Sequence, residues 1–257
     1  MTRRLMAFDL DGTILFADGV RPADAEAVAR WRAAGNLAVT ATGKSIAATR
    51  FALRGTGVEF DYHVLNTGCV ITDADYRVVE ADPLDTAVVA ALADELAGAE
   101  GVNLYATTLD TRDLILHNGV GEATTSILVD NERLDVADIP KHEFVGAPIW
   151  VPGDPERMGR IERWVGRFPG ASAVRNQDFL DVMPAGTGKG VGIDRLIGHL
   201  GIDPVVYTVG DSWNDIGMHR RADHAACFDC SPAEVKKVCG TVTGSVAEFI
   251  DAVLAHG

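Results

Sequence analysis

The sequence predicts an α/β protein in which a parallel-sheet domain, built from both ends of the chain, carries an inserted α+β domain. Near both termini, short apolar runs typical of buried strands alternate with amphipathic segments typical of helices. This alternation is the βα rhythm of a parallel sheet with helices on its faces. In the middle of the chain the rhythm changes to a helix followed by two strands, twice, which indicates an antiparallel sheet in a separate unit.

The N-terminal part shows the βα rhythm element by element. Residues 5–8 form a continuous apolar run, as expected of a strand buried on both faces of a sheet. A helix is predicted over 22–34, with Pro22 at its start and Gly35 just past its end. The remaining elements of a βαβαβ pattern are predicted at 37–41, 45–53 and 64–65.

The C-terminal part returns to the same rhythm. A helix is predicted at 189–200, because apolar residues at i, i+3, i+4 and i+7 share one face there. The other elements expected are a strand at 205–209, a helical stretch at 214–221, a short last strand at 224–228 and a closing helix around 246–253.

The middle of the chain is predicted to be an inserted domain. Helices are expected at 84–96 and 155–168, and hairpins at 102–107 with 114–117 and at 172–175 with 179–183. The domain prediction is therefore a sheet domain formed by residues 1–82 and 185–257, with an α+β domain at 83–184 between them.

Composition and charge exclude several classes of protein. Hydrophobic residues make up 47% of the chain and charged residues 23%, which is typical of a globular protein. The formal net charge of −14 argues against non-specific nucleic-acid binding, which needs basic patches. No apolar run approaches the ~20 residues that span a bilayer, and Asp9 and Asp11 interrupt the N-terminal run too early for a signal peptide. We therefore expect a cytoplasmic protein without membrane or nucleic-acid partners; its oligomeric state is left open.

The cysteines raise the question of a zinc site. Cys227 and Cys230 form one C-x-x-C, with His224 before it and Cys239 after it. A single C-x-x-C without a second matching pair is weak evidence for zinc, so small apolar residues beside a sheet are the favoured interpretation. Cys69 stands alone, and no role is predicted for any of the four.

The strongest indication of function is where polar residues follow apolar strands. The strand at 5–8 runs into Asp9 and Asp11, the strand at 37–41 into Thr42, and the strand at 205–209 into Asp211. Because open parallel sheets bind ligands at the carboxyl ends of their strands, these side chains are expected to converge on one cleft. Lys189, at the start of the predicted helix, is placed to face an anion together with the free N–H groups of that helix.

Such a cleft suits phosphoryl chemistry. Carboxylates at close range repel one another and must be protonated, paired or bound to a cation, and all-oxygen ligands favour Mg²⁺. Taken singly, each motif also has a structural interpretation: Asp11-Gly12 as a turn, Thr42-Gly43 as a strand exit with a helix cap, and Lys189 as a surface lysine. Together they favour a magnesium-dependent phosphatase with a carboxylate nucleophile.

Four motifs follow one another along the chain: FDLDGTIL at Asp9, TATGKS at Thr42, MPAGTGKGVGIDRL at Lys189 and VGDSWNDIGM at Asp211. In these motifs and their order the sequence resembles the haloacid dehalogenase superfamily, and within it the Cof-type (class IIB) hydrolases with a C2-type cap. The resemblance covers nearly the whole chain. It implies a Rossmann-like core with an α+β cap and a phosphatase that acts on a small phosphorylated metabolite, such as a sugar phosphate.

The resemblance also implies roles for individual residues. Asp9 is the nucleophile and binds Mg²⁺, and Asp11 is the acid and base, with its backbone carbonyl on the metal. The residues implied to hold the phosphoryl group are Thr42, Gly43 and Lys189. Asp211 is implied to bind Mg²⁺, and Asn214 and Asp215 to support the metal or Lys189.

The substrate is not fixed by these motifs. Lys44 stands where the family commonly has arginine, which removes a bidentate contact. Candidates for selecting the leaving group are Lys44, Arg112, Asp113, His117, Trp150, Arg175 and Asn176, of which Trp150 is expected to lie in the core. Alternatives to a phosphatase are a phosphomutase of the phosphomannomutase type, a non-enzymatic protein that binds a phosphorylated metabolite, and a halide-removing enzyme.

Overall fold

The computed structural model describes residues 3–109, 112–121 and 131–255, which build two main β-sheets and the helices that cover them. The strands are β1 (Arg4–Phe8), β2 (Leu15–Phe16), β3 (Gly19–Val20), β4 (Leu37–Ala41), β5 (Tyr62–Leu65), β6 (Val70–Asp73), β7 (Val78–Ala81), β8 (Asn103–Ala106), β9 (Asp113–Asn118), β10 (Asn131–Arg133), β11 (Ala147–Trp150), β12 (Ala171–Asn176), β13 (Phe179–Pro184), β14 (Val205–Val209), β15 (His224–Phe228) and β16 (Thr241–Thr243). The α-helices are α1 (Pro22–Ala33), α2 (Ile46–Leu53), α3 (Thr86–Glu95), α4 (Pro155–Val165), α5 (Lys189–Leu200), α6 (Ile216–His219), α7 (Ala233–Lys236) and α8 (Val246–Ala255).

The larger sheet has eight strands in the order β16-β15-β14-β1-β4-β5-β6-β7. From β16 to β5 neighbouring strands run parallel, and β6 and β7 extend the sheet antiparallel. β1 is buried on both faces: Met6 and Phe8 pack in the core that includes Trp31, and Leu5 and Ala7 in the core that includes Leu196. The apolar run of β1 thus serves two cores, as a parallel strand covered by helices must.

The smaller sheet has six strands in the order β10-β9-β8-β11-β13-β12. Helices α3 and α4 pack on one of its faces, where Leu92 and Ile161 share a core with Leu104 and Leu180. All six strands come from residues between 103 and 184. The proposed boundaries of an inserted domain, at 82/83 and 184/185, stay a prediction.

The structure corrects the predicted elements in three places, and it also adds the unpredicted strands β6 and β7, which run antiparallel in a sheet that was expected to be parallel. The inserted sheet was expected to be antiparallel, but β9 and β10 pair in parallel. The strand β15 was expected to be the last, but β16 lies beyond it at the sheet edge, a segment of three residues too short to give a sequence signal. The third is β11, whose Pro148 hides the strand pattern; the proline is tolerated because β8 pairs only with Ile149 and Trp150.

The turn after β5 fixes where α5 begins. Asn66, Thr67 and Gly68 have φ angles of 47°, 53° and 98°. A Cβ atom built on Gly68 would lie 2.1 Å from the carbonyl oxygen of Gly188, directly before Lys189. Only glycine permits so close an approach at a positive φ, and this contact places the start of α5.

We expect Gly68→Ala to lower the free energy of unfolding more than Gly186→Ala does. Gly186 also has a positive φ (81°), but a Cβ atom there meets nothing within 4 Å, so its substitution costs only the conformational penalty of about 1–2 kcal/mol. Gly68→Ala adds a clash with the backbone, worth roughly 1–3 kcal/mol more. Urea unfolding followed by circular dichroism measures both losses; equal losses would contradict the close contact.

Candidate active site

The ends of three neighbouring strands meet at one edge of the larger sheet. Phe8 at the end of β1 is in register with Val209 of β14 and with Thr40 of β4. The backbone N–H of Asp9 donates a hydrogen bond to the carbonyl of Val209 at 3.0 Å. The residues that follow these strands, Asp9, Asp211 and Thr42, therefore lie side by side, as the sequence predicted.

Lys189 is buried between two carboxylates. Its Nζ lies 2.6 Å from Oδ1 of Asp9 and 2.6 Å from Oδ1 of Asp215, and its side chain is 0% exposed. Burial alone would lower the pKa of Lys189, but the two carboxylates outweigh it and raise this pKa above its ordinary value. Burial raises the pKa of Asp9, and Lys189 acts in the opposite direction. The lysine is thus a fixed positive charge at the centre of the site.

Asp215 organises the loop that follows β14. Its Oδ2 accepts hydrogen bonds from the backbone N–H groups of Asp211 and Ser212, both at 2.9 Å, and its Oδ1 faces Lys189. Gly210 permits this arrangement, since a Cβ atom there would lie 2.5 Å from the Asp215 carboxyl carbon. Both oxygens of Asp215 are engaged by the protein, which suits a supporting role rather than direct metal coordination.

The carboxylates could hold a cation. Oxygens of Asp9, Asp211 and Asp215 lie within 4.8 Å of one another, and among the described residues no other group of His, Cys, Asp or Glu does so. Burial, followed by repulsion from Asp9, raises the pKa of Asp211 to about 8. Within the described part of the chain, the buried Oδ1 of Asn214 also lacks a hydrogen-bond partner. An all-oxygen set with excess negative charge and a free acceptor fits Mg²⁺.

Two neighbours of the cluster have restricted surroundings. Gly12, with a φ of 81°, passes so close to Asp211 that a Cβ atom would lie 2.8 Å from Oδ2. The hydroxyl of Thr13 lies 3.4 Å from Asp9 Oδ2 and 3.5 Å from Asp211 Oδ1, and so links the two carboxylates that remain for a metal.

Asp11 has a separate environment. Its Oδ2 lies 3.0 Å from Nζ of Lys44, whose side chain is 2% exposed. Burial raises the pKa of Asp11, Lys44 lowers it, and the charge of Asp9 raises it again. Because its pKa is raised overall, Asp11 is suited to carry a proton beside the more deeply buried Asp9.

The loop from Thr42 to Ser45 is fixed by hydrogen bonds from the turn after β5 and by hydrogen bonds within the loop and to the first turn of α2. The backbone N–H groups of Thr67 and Asn66 donate to the carbonyls of Thr42 and Lys44 at 2.9 and 3.0 Å. The hydroxyl of Thr42 accepts from the N–H of Lys44 at 3.2 Å, and that of Ser45 caps α2 by accepting from the N–H of Ala48 at 3.0 Å.

The leaving-group candidates divide into two groups. Arg175 lies over the ring of Trp213, 4.5 Å from its centre, and so joins the smaller sheet to the loop that carries Asp211. Asn176 lies near Gly43, since a Cβ atom there would be 3.0 Å from its Nδ2. Asp113 accepts a hydrogen bond from Ser45. These three contact the larger sheet's loops.

The other candidates lie elsewhere. His117 is not near the site: a β-bulge pairs it with Leu104, on the side covered by helices, and its Nε2 lies 2.8 Å from the carbonyl oxygen of Ala99. Arg112 is exposed and pairs with Glu132 at 3.6 Å. Trp150 is buried and stacks on Phe179, as expected of a core residue.

Sequence reasoning missed Asp181 and Thr67. Asp181 is buried on β13, where Thr67 donates a hydrogen bond to it at 2.8 Å. A lone acid inside the apolar strand FLDVMP was the signal that could have found it, because buried carboxylates need partners.

The cysteines are free thiols in dissimilar surroundings. Cys69 and Cys227 are buried, Cys239 is half-buried and Cys230 is exposed.

Among the described residues, no helix combines the length and the apolar character required to cross a bilayer.

The chain matches known proteins over nearly its whole length. The family model for haloacid dehalogenase-like hydrolases matches residues 6–255, so the family resemblance seen in the motifs is confirmed. A curated relative, the 5-amino-6-(5-phospho-D-ribitylamino)uracil phosphatase YwtE of Bacillus subtilis, is 27% identical over 98% of both chains.

Solved structures show the same fold. A haloacid dehalogenase-like hydrolase from B. subtilis superposes with a TM-score of 0.84 at 18% identity, over 96% of this chain and 99% of that one. A subclass IIB sugar phosphatase of the superfamily superposes with a TM-score of 0.81 at 20% identity, over 99% of both chains.

We expect Mg²⁺ to raise the unfolding temperature, and to raise it more at about pH 8 than at about pH 6. Without metal, folded Asp211 keeps its proton up to about pH 8, whereas the unfolded chain loses it near the ordinary value of 3.8. The stability that this group contributes is therefore lost as pH rises toward 8. A cation binds the ionised form, so it displaces a proton at low pH and has none to displace at high pH.

Thermal unfolding with and without millimolar MgCl₂ measures this effect, with Asp211→Asn and the exposed Asp75→Asn as the matched pair. Asp211→Asn should abolish the rise at both pH values and Asp75→Asn should leave it intact. A rise that is independent of pH, or that persists in Asp211→Asn, would contradict the site.

Proposed function

The chain belongs to the haloacid dehalogenase-like hydrolase family, and we propose that it is a magnesium-dependent phosphatase that hydrolyses the phosphomonoester of a small metabolite. One observation carries the proposal: Asp9 lies at a strand end, 2.6 Å from a buried lysine and beside Asp211, with the Thr42 loop on the neighbouring strand. This arrangement offers a nucleophile, a cation site and phosphate ligands at one place.

Asp9 would act as the nucleophile. An oxygen of its carboxylate attacks phosphorus, the bond from phosphorus to the ester oxygen breaks, and an aspartyl-phosphate forms on Asp9. The reaction needs the ionised carboxylate although burial raises its pKa, and Lys189 counters that shift. When bound, Mg²⁺ supplies further positive charge against the phosphoryl oxygens; Asp9, Asp211 and the backbone carbonyl of Asp11 would hold it.

Asp11 would move the protons. It gives its proton to the departing ester oxygen, and its carboxylate then takes a proton from the water that attacks the aspartyl-phosphate. The attack releases inorganic phosphate and restores Asp9. The raised pKa of Asp11 favours the protonated form that the first step requires. Lys44, whose Nζ lies 3.0 Å from Oδ2 of Asp11, stabilises the ionised form that the second step requires.

The phosphoryl oxygens would be held by Thr42, Gly43 and Lys189. Lys189 keeps its charge because two carboxylates raise its pKa, so it is available to neutralise the charge of the transferred group. Glycine is required at position 43 because a Cβ atom there would lie 2.8 Å from Oδ2 of Asp181 and 3.0 Å from Nδ2 of Asn176. Asn214 and Asp215 would support the metal and the lysine.

We propose that residues 83–184 form a cap that covers the leaving group and selects it. The relatives named above act on a sugar phosphate and on a phosphorylated ribitylaminopyrimidine, so polyol and sugar phosphates are the first substrate class to examine. Arg175 and Asn176, on the hairpin that reaches the larger sheet, are better placed for contact with the site than His117.

We expect Asp9→Asn to lower phosphate release by at least about a thousandfold, because the nucleophile is lost while the shape of the side chain is kept. Release is measured on a panel of sugar and polyol phosphates that includes the phosphorylated ribitylaminopyrimidine, with Mg²⁺ and with a chelator. Asp75→Asn is the control and should match the native protein. Comparable turnover by Asp9→Asn, or turnover without a divalent cation, would sink the proposed mechanism.

We expect Asp11→Asn to reduce kcat/KM by roughly a hundredfold to ten-thousandfold for alkyl phosphates, and by less for p-nitrophenyl phosphate. The nitrophenolate leaves without a proton, so the loss of the acid matters less for that substrate. Steady-state kinetics on both substrates gives the ratio. An equal loss for both would show that Asp11 does not protonate the leaving group.

A further inference from the structure

A buried carboxylate of the smaller sheet, that of Asp113, is hydrogen-bonded to the end of the Thr42–Ser45 loop. Oδ2 of Asp113, on β9, accepts a hydrogen bond from the hydroxyl of Ser45 at 2.7 Å, and its Oδ1 accepts one from Thr107 at 3.0 Å. Asp113 is 2% exposed. Ser45 also caps α2, so this contact joins the smaller sheet to the point where the loop becomes a helix.

A second buried carboxylate lies over the middle of the same loop. Oδ2 of Asp181, on β13, accepts hydrogen bonds from the hydroxyl of Thr67 at 2.8 Å and from Asn176 at 3.4 Å. A Cβ atom built on Gly43 would lie 2.8 Å from the same oxygen. The cavity between these groups measures about 10 Å³, at the lower limit for one water molecule.

Thr67 links this carboxylate to the phosphate loop. Its φ of 53° is unusual for a β-branched residue and needs support from its surroundings. Two hydrogen bonds provide that support: its N–H donates to the carbonyl of Thr42, and its hydroxyl donates to Asp181. Thr67 is therefore hydrogen-bonded to both Asp181 and Thr42, so a displacement of Asp181 would be expected to displace Thr42 as well.

We propose that Asp113 and Asp181 are positioning residues that clamp the Thr42–Ser45 loop from the smaller sheet, so that closure of the cap completes the phosphate site as well as covering it. The inference rests on the proposed function, because it assigns the loop to the phosphoryl group. Both carboxylates are buried here and would regain water if the cap opened. The hydrogen bonds from Ser45 to Asp113 and from Thr67 to Asp181 cross between the two sheets and therefore belong to the closed arrangement, whereas those from Thr107 and Asn176 lie within residues 83–184.

This clamp makes phosphate binding and cap closure depend on each other. With the cap open, Thr67 loses its side-chain partner and the loop loses its support at Ser45. A displacement of about 1 Å in a positioning group can lower the rate about a hundredfold. A substrate whose leaving group cannot fit under the cap would therefore meet an incomplete phosphate site.

The matched substitutions are Thr67→Val, which keeps the β-branched shape and removes the hydroxyl, and Thr67→Ser, which keeps the hydroxyl. We expect Thr67→Val and Asp181→Ala each to lower kcat/KM between about tenfold and a hundredfold. The double variant should lose little more than either single one, because both remove the same contact. Thr67→Ser should stay within about threefold of the native protein.

The other end of the clamp is tested by Asp113→Ala, alone and combined with Ser45→Ala. The two changes should again be non-additive in kcat/KM, and Ser45→Thr should restore activity. Losses that multiply in both pairs would overturn the clamp, because each residue would then act on its own.

A binding measurement keeps this inference separate from the proposed function. Calorimetry with inorganic phosphate and Mg²⁺ reports the loop without turnover, and we expect the affinity to fall at least about fivefold in Thr67→Val but not in Thr67→Ser. Unchanged phosphate affinity in Thr67→Val overturns the clamp even if the native protein is an active phosphatase. Absence of phosphate release from the native protein overturns the proposed function.

Discussion

The ammonium group of Lys189 lies between Asp9 and Asp215, and the arrangement of the site depends on this charge. Without it, buried carboxylates would face one another and would have to take up protons. Removing one partner of such a buried pair typically costs about 3–5 kcal/mol, since the remaining charge stays out of water. The same charge that stabilises the folded site is the one that a phosphoryl group would meet, so stability and chemistry share one interaction.

Several backbone contacts fix the position of the Lys189 ammonium group. The approach of Gly68 to Gly188 sets the first turn of α5, and the two N–H groups that hold Asp215 fix its carboxylate toward the lysine. Lys189 is therefore positioned from both neighbouring loops as well as by its own helix. A site built in this way needs little rearrangement when charge develops on a bound group, which is the property that favours phosphoryl transfer.

Asp9 and Asp11 are two residues apart in sequence but have different surroundings. Asp9 faces the buried Lys189, whereas Asp11 faces Lys44, in the loop between β4 and α2. Both carboxylates lie beside a lysine, but the side chain of Asp9 is 7% exposed and shares its lysine with Asp215, whereas that of Asp11 is 23% exposed. In the proposed mechanism these different environments would suit Asp9 to be the nucleophile and Asp11 to exchange protons.

The smaller sheet contributes to the site through carboxylates that do not belong to the four motifs. Asp113 and Asp181 reach the loop around Gly43 from strands that are distant in sequence, and Arg175 reaches Trp213 on the loop of Asp211. The smaller sheet is therefore in contact with both the Thr42–Ser45 loop and the loop that carries Asp211. Through such contacts the smaller sheet would influence the positions of Thr42 and Asp211, although both residues belong to loops of the larger sheet.

The sequence by itself determined the two-sheet architecture, the strand ends that carry Asp9, Thr42 and Asp211, and the place of Lys189 at the start of α5. These features are local in sequence. A continuous apolar run indicates a parallel strand that is buried on both faces, and the end of that run marks the carboxyl end of the strand, where open parallel sheets bind ligands. For the same reason the short or proline-containing strands β11 and β16 were missed, since their residues carry no strong local pattern.

Only the tertiary structure decided which carboxylates have partners and which face of the smaller sheet each candidate occupies. His117 was turned away from the site by a single-residue bulge, which shifts the register of β9 and reverses the facing of its side chain. Asp181 and Thr67 are 114 positions apart and meet only because β13 crosses the turn after β5. Register and crossing depend on packing between distant segments, and no local pattern in the chain encodes them.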